Sequence, residues 1–212
     1  MGPALPQPPP FAEVRGQVTA VVLAGGRGRR MGGEDKGLVP LAGRPMVEHV
    51  LQAVQPQVGA VVLSANRNRE RYEALGYPVV ADAVGDFWGP LAGVASAMRV
   101  ARSPYLLTVP CDAPLVPGDL AAVLYRALRG EGADIAVAHD GERMQQAFAL
   151  LSCRLLGDLG EYLAAGERKV QVWYARHRLV TADFSARGEV FANVNTPEER
   201  AAIERRLSGL SG

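Results

Sequence analysis

The sequence predicts an α/β fold, a three-layer sandwich on a mainly parallel sheet, and three observations point there. From Val18 onward, short apolar runs alternate with amphipathic segments, the order of a chain that lays strands side by side and covers them with helices. The first run, Val18–Leu23, leads into the glycine pair Gly25-Gly26, as a buried strand does when it empties into a tight loop. Of the 212 residues, 48% are hydrophobic, ample for one core.

Each element has its own warrant. Residues 1–16 carry five prolines and little to bury, so they predict a disordered tail. A single domain is expected at 17–207, with 208–212 as a flexible end. Pro45 should open a helix at its first position, because Met46, Val47, Val50, Leu51 and Val54 then repeat on one face. Ala60–Ser64 reads as the second strand, Asn68–Leu75 as a short helix and Pro78–Val80 as the third strand. Leu91–Ala101 is helical, Tyr105–Val109 a strand and Pro117–Leu128 a helix. Asp134–Ala138 and Ala147–Leu151 are further strands, and Leu155–Ala164 and Pro197–Leu207 are helices. Between Arg168 and Asp183 the pattern favours neither type. In folds of this kind ligands bind at the carboxyl ends of the strands.

Composition narrows the function. The formal net charge is +1, which gives no global pull toward nucleic acid or membrane, so any anion site must be local. Cys111 and Cys153 have no CxxC spacing, which argues against a zinc site or a disulfide framework. No apolar run approaches the length of a bilayer span, and the Pro-rich start lacks the apolar core of a signal peptide. A reducing cytoplasm is the expected setting. Among 23 basic side chains the lysines are Lys36 and Lys169 and the rest are arginines. A lysine inside a glycine-rich loop then suits a place that wants a compact ammonium rather than a planar fork.

That loop, LAGGRGRRMGGEDKG from Leu23 to Gly37, carries the strongest chemical signal. Six glycines among its fifteen residues let backbone amides approach a phosphate closely, and Arg27, Arg29, Arg30 and Lys36 add cations. It reads as a polyphosphate cradle rather than an ordinary surface loop. It is not a Walker A loop, because Gly33 is followed by Glu34. It is not the dinucleotide fingerprint either, since Met31 stands where the third glycine belongs. The second strand also ends in Ser64-Ala65-Asn66 without a ribose-binding acid.

LAGG-x3-RMGG-x-DKG after a first strand resembles the molybdenum cofactor guanylyltransferases. SANRN at 64–68, ADAV at 81–84, GPLAG at 89–93, PCDAPLVP at 110–117 and NVNTPEE at 193–199 follow in the family's order, so the resemblance spans about residues 18–205. It implies a Rossmann-like nucleotidyltransferase fold and an enzyme that transfers GMP from GTP to the terminal phosphate of molybdopterin, releasing pyrophosphate. In such a reaction one anion attacks another, so alignment and charge neutralisation are the main tasks. Arg30 and Lys36 are suited to the triphosphate. Asp112, just past the Tyr105–Val109 strand, can hold Mg²⁺ with phosphate oxygens and water, with Mn²⁺ as a substitute; on local sequence alone it could equally form an Asx-turn before Pro114.

By the same resemblance Leu23, Ala24, Gly25, Gly26, Asn66 and Asp82 contact GTP, while turn chemistry is the bland account of Asn66 and Asp82. Gly89, Pro90 and Gly93 flank a helix start that either binds an anion or serves loop packing. Asn193 and Asn195, two apart, share a side if the backbone is extended, and the resemblance places them near the pterin-side phosphate. Thr196 before Pro197 looks like the cap of the last helix. Gln145-Gln146 stands where family members often carry His-Pro, on a loop expected near the acceptor. Cys111 reads as a buried small hydrophobe, and His49 as structural.

The implied partners are GTP and molybdopterin, with transient contacts to insertion or acceptor proteins, no nucleic acid or membrane, and a monomer or weak oligomer. Two other readings stay open at this point: a relative using CTP or a sugar phosphate acceptor, and a non-catalytic GTP-binding cofactor carrier. LAGG rather than LAAG at the first strand favours guanine over the first; Arg30, Lys36 and Asp112 all being present argues against the second.

Overall fold

The computed structural model describes residues 11–24, 35–82 and 89–209. Strand β1 (Val18–Leu23) lies at the centre. Ala20 and Val22 face one hydrophobic cluster and Val21 the other, which is why this strand, Thr19 apart, is apolar instead of alternating. Its neighbours are β4 (Ala60–Ser64) and β6 (Tyr105–Pro110), both parallel to it. Beyond β4 lies β5 (Val79–Val80); beyond β6 come β8 (Met144–Ser152), β7 (Ile135–His139) and β9 (Leu179–Asp183), giving the order β5-β4-β1-β6-β8-β7-β9. Strand β8 is antiparallel to both its neighbours, and the other strands share one direction. The sheet is mixed and mainly parallel, as expected.

Helices cover both faces. On one side α2 (Met46–Val54) and α5 (Leu120–Gly130) bury Val47, Val50, Leu120 and Leu124 against β1 and its neighbours. On the other, α4 (Pro90–Val100), α6 (Leu156–Ala164) and α7 (Val170–Tyr174) pack Leu91, Leu159 and Trp173 under Val21, Leu106 and Ile135. A hairpin of β2 (Pro40–Leu41) and β3 (Arg44–Pro45) turns at Ala42-Gly43, both with positive φ. Helix α8 (Pro197–Gly209) docks on it through Ile203, and Glu204 accepts the Ala42 amide at 3.1 Å.

Three expectations need correction, and one open stretch resolves. The Pro-rich tail does not run unstructured to residue 16. The prolines end at Pro10, and Phe11–Gln17 forms helix α1, anchored by buried Val14 and by Arg15 Nε donating to the Val58 carbonyl at 3.2 Å. The C-terminal helix continues through residues 208 and 209, past the expected end at 207. Pro45 is the last residue of β3 rather than the first of a helix, since its ψ of 138° is extended. The segment left open between Arg168 and Asp183 holds α7 and then β9, whose half-exposed edge position blurred its alternation.

Chain order sets the site. From β1 the chain moves outward to β4 and β5, then returns to the other side of β1 as β6. Between the carboxyl ends of β1 and β6 the connections diverge, which is where open α/β sheets bind ligands.

Candidate active site

Leu23 and Pro110 are paired at the ends of β1 and β6, and the Leu23 carbonyl accepts the Cys111 amide at 3.1 Å. That bond delivers Asp112 to the carboxyl edge of the sheet. Lys36, at the end of the glycine-rich segment, places Nζ 3.1 Å from Asp112 Oδ2 and 2.5 Å from Asn195 Oδ1. Asn195 is brought in by a separate device. The Val194 amide donates to the Asp112 carbonyl at 2.8 Å, and Val194 is wholly buried, so its two neighbours point away from the core. Asn193 is exposed and Asn195 is half-buried against the lysine. Three residues from distant parts of the chain thus meet in one cluster. Lys36 and Asp112 keep 23% and 16% of their side chains exposed, so both are open to a ligand.

Thr196 is the cap of α8. Its Oγ1 accepts the Glu199 amide at 3.2 Å, while Glu199 Oε2 accepts the amides of Thr196 and Asn195 at 3.0 and 2.6 Å. This reciprocal capping box leaves the Asn195 side chain available for Lys36.

A second polar pair closes the other side of the edge. Asn66 Nδ2 donates to Asp82 Oδ2 at 2.7 Å, and the Asp82 amide donates to Asn66 Oδ1 at 2.8 Å. Between the pairs, β1 ends at Leu23, and the amide of Ala24 beyond it donates to the Ser64 carbonyl at 2.8 Å. Gly25, Gly26, Arg27, Arg29 and Arg30 lie outside the described residues.

The two helix-start glycines differ. Gly89 has φ +84°, a conformation that favours glycine, and nothing stands within 4 Å of where a side chain would begin. Gly93 is buried instead, and a Cβ there would collide with Ser64 Oγ and crowd Leu23. Close packing of α4 on the sheet accounts for that glycine. Beside it, a cavity of about 220 Å³ opens between Leu23, Pro90, Val94, Gln146, Val170 and Tyr174, with walls that are mostly apolar.

Sequence reasoning passed over Asp35, Asn68 and Tyr72. Asp35 Oδ1 accepts the Tyr72 hydroxyl at 2.5 Å, and Oδ2 accepts Asn68 Nδ2 at 2.9 Å. The available signal was the DKG triplet itself, an acid directly before the one lysine of the loop. Burial, the neighbouring Cys111 and the hydrogen bond to Asp35 all push the Tyr72 phenol above its ordinary range. Burial likewise pushes the Cys111 thiol up, reinforced by Asp112 and Asp35, so it is a small hydrophobe and not a nucleophile. His49 is structural, with Nε2 2.8 Å from the Leu41 carbonyl.

Among the described residues no cluster of three or more His, Cys, Asp or Glu could hold a metal by itself. Asp112 is a hard carboxylate at the mouth of the site, the kind of ligand that Mg²⁺ takes together with phosphate oxygens and water.

Comparison with known proteins decides the family. A family model described as the MobA-like NTP transferase domain matches residues 20–182. Over 192 residues the chain is 46% identical to the molybdenum cofactor guanylyltransferase of Shewanella loihica, covering 91% of this chain and 98% of that protein. The chain belongs to the molybdenum cofactor guanylyltransferases. A second family member, from Shewanella halifaxensis, is 49% identical over 91% of this chain and 96% of its own length. The crystal structure of molybdopterin-guanine dinucleotide biosynthesis protein A from Archaeoglobus fulgidus superposes with a TM-score of 0.74 at 25% identity, covering 90% of this chain and 99% of that one. In this guanylyltransferase-family chain, Lys36, Asp112 and Asn195 meet at the sheet's switch point.

Proposed function

We propose that this chain transfers GMP from GTP to the terminal phosphate of molybdopterin, yielding the guanine dinucleotide form of the cofactor and pyrophosphate. The observation that carries the reading is the 3.1 Å approach of Lys36 to Asp112, which puts the end of the glycine-rich segment and the carboxylate after β6 in one pocket.

The guanine and ribose lie toward Asn66 and Asp82, whose amide and carboxylate offer a mixed donor and acceptor edge. The triphosphate crosses the ends of β1 and β6, where Lys36 neutralises its charge. An oxygen of the acceptor phosphate attacks the α-phosphorus, the new P–O bond forms as the bond to the β-phosphate oxygen breaks, and pyrophosphate departs with the electron pair. Lys36 stabilises the charge that develops on these oxygens, and no covalent protein intermediate is needed. Asp112 would hold Mg²⁺, which supplies further neutralisation of the phosphates when bound. Asn195 and Asn193 serve the acceptor phosphate, and the apolar cavity beside Leu23 has the size and walls for part of a flat ring system.

No helix among the described residues is long and apolar enough to cross a membrane. A cytoplasmic setting and transient contacts with the proteins that insert or receive the cofactor belong to the same proposal.

The test is pyrophosphate release from GTP with molybdopterin and Mg²⁺. Turnover with GTP and little with CTP supports the reading; turnover with CTP instead removes the guanine assignment. Tight GTP binding without turnover makes the chain a carrier.

A further inference from the structure

Lys36 is flanked by one residue bonded to the Tyr72 phenol and one packed closely against it. Before it, Asp35 is gripped at Oδ1 by Tyr72 and at Oδ2 by Asn68. After it, Gly37 is buried, and a Cβ at that position would come within 2.5 Å of the Tyr72 hydroxyl and 3.3 Å of Cys111 Sγ. Tyr72 itself is wholly buried on α3 (Arg69–Glu73), so its hydroxyl has no freedom to wander. Asn68, which starts that helix, sits at φ +52°, a left-handed conformation that asparagine tolerates better than most residues. A backbone in that state costs free energy unless the surrounding structure fixes it. Here it leaves Asn68 Nδ2 on the second oxygen of Asp35. The Asp35 carbonyl then accepts the Leu38 amide at 2.9 Å, starting the short 3-10 turn that contains the lysine.

We infer that Tyr72, Asn68 and Asp35 form a clamp that positions Lys36 for the nucleotide phosphates, with Tyr72 as its fixed point. The clamp reaches the ligand only through the lysine, so these three are positioning residues. Its placement also ties the two halves of the site together, because Asn68 stands two residues beyond Asn66 on the segment that leaves β4.

This inference rests on the nucleotide reading above, and a mutant cycle separates the two. Binding of GTP with Mg²⁺ is measured by calorimetry on the full chain for the parent, Tyr72→Phe, Lys36→Ala and the double variant. Tyr72→Phe keeps the ring packing and removes one charge-assisted hydrogen bond, so affinity should fall about tenfold. In the Lys36→Ala background the same change should cost less than about twofold, because the group it positions is gone. Equal losses in both backgrounds, or no loss in the parent, overturn the clamp while leaving the nucleotide site standing. A parent that binds no GTP removes both. If Tyr72→Phe does not fold, Asp35→Ala takes its place in the cycle with the same two outcomes. Asp35→Asn, which retains an oxygen for the Tyr72 hydroxyl, should bind more tightly than Asp35→Ala; equal binding by the two counts against the clamp.

Discussion

At the scale of single residues, the site depends on one ammonium and one carboxylate with different tasks. Asp112 stands at the mouth of the pocket, and no cluster of three or more metal-ligating side chains surrounds it among the described residues. Asp112→Ala should lower pyrophosphate release at least about a hundredfold while the chain stays folded. Retained Mg²⁺-dependent turnover would refute the assignment. Lys36 reaches two oxygens from distant segments with a single nitrogen, a task a planar fork meets poorly. Lys36→Arg should therefore cost about tenfold in kcat/KM, and an unchanged value would make the lysine a compositional accident. Cys111 lies next to Asp112 but is held protonated by burial. Cys111→Ala should keep activity within about threefold, as a packing change without a chemical one.

At the scale of elements, the capping box of α8 does more than end a helix, because Glu199 also holds the amide of Asn195. Thr196→Ala should cost about 1 kcal/mol in a urea titration. The turn between β7 and β8 carries a pH-dependent contribution of its own. Asp140 accepts the amides of Arg143 and Glu142, and these bonds lower its pKa from 3.8 to about 2. The stabilisation is therefore complete above the unfolded value and is lost as the pH falls through about 2. Asp140→Asn should be less stable than the parent at pH 7, and the gap should close in strong acid; a gap independent of pH would discount the ionised form.

The elements also show what the sequence could and could not convey. Val18–Leu23 and Ala60–Ser64 were legible to the residue, because strands buried on both faces are mostly apolar and end near turn residues. Strand β9 was not, since an edge strand with one buried residue has too little contrast to reveal its period. Helix α1 was hidden by the prolines before it; one buried valine and a side-chain bond to Val58 anchor it, and both are tertiary facts.

At the scale of the whole molecule, the site was legible in its parts before its assembly. Lys36 and Asp112 could be named from the loop and from the strand that precedes the acid. Their contact needed the crossover that places β6 beside β1, and Asn195 needed α8 to fold back over the hairpin. Tyr72 stayed hidden because a tyrosine on a short helix signals core, and only the fold shows its hydroxyl on Asp35. The candidate site thus rests on topology: a sheet switch point gathers a lysine, a carboxylate and an asparagine that are far apart in the chain.

The most direct test is a crystal structure with a non-hydrolysable GTP analogue and Mn²⁺, whose anomalous signal marks the cation. The account predicts a peak at about 2.1 Å from an Asp112 carboxylate oxygen, with Lys36 Nζ turned onto the phosphates. A nucleotide bound away from the ends of β1 and β6, or an Asp112 still paired with Lys36 and remote from the metal, would contradict it.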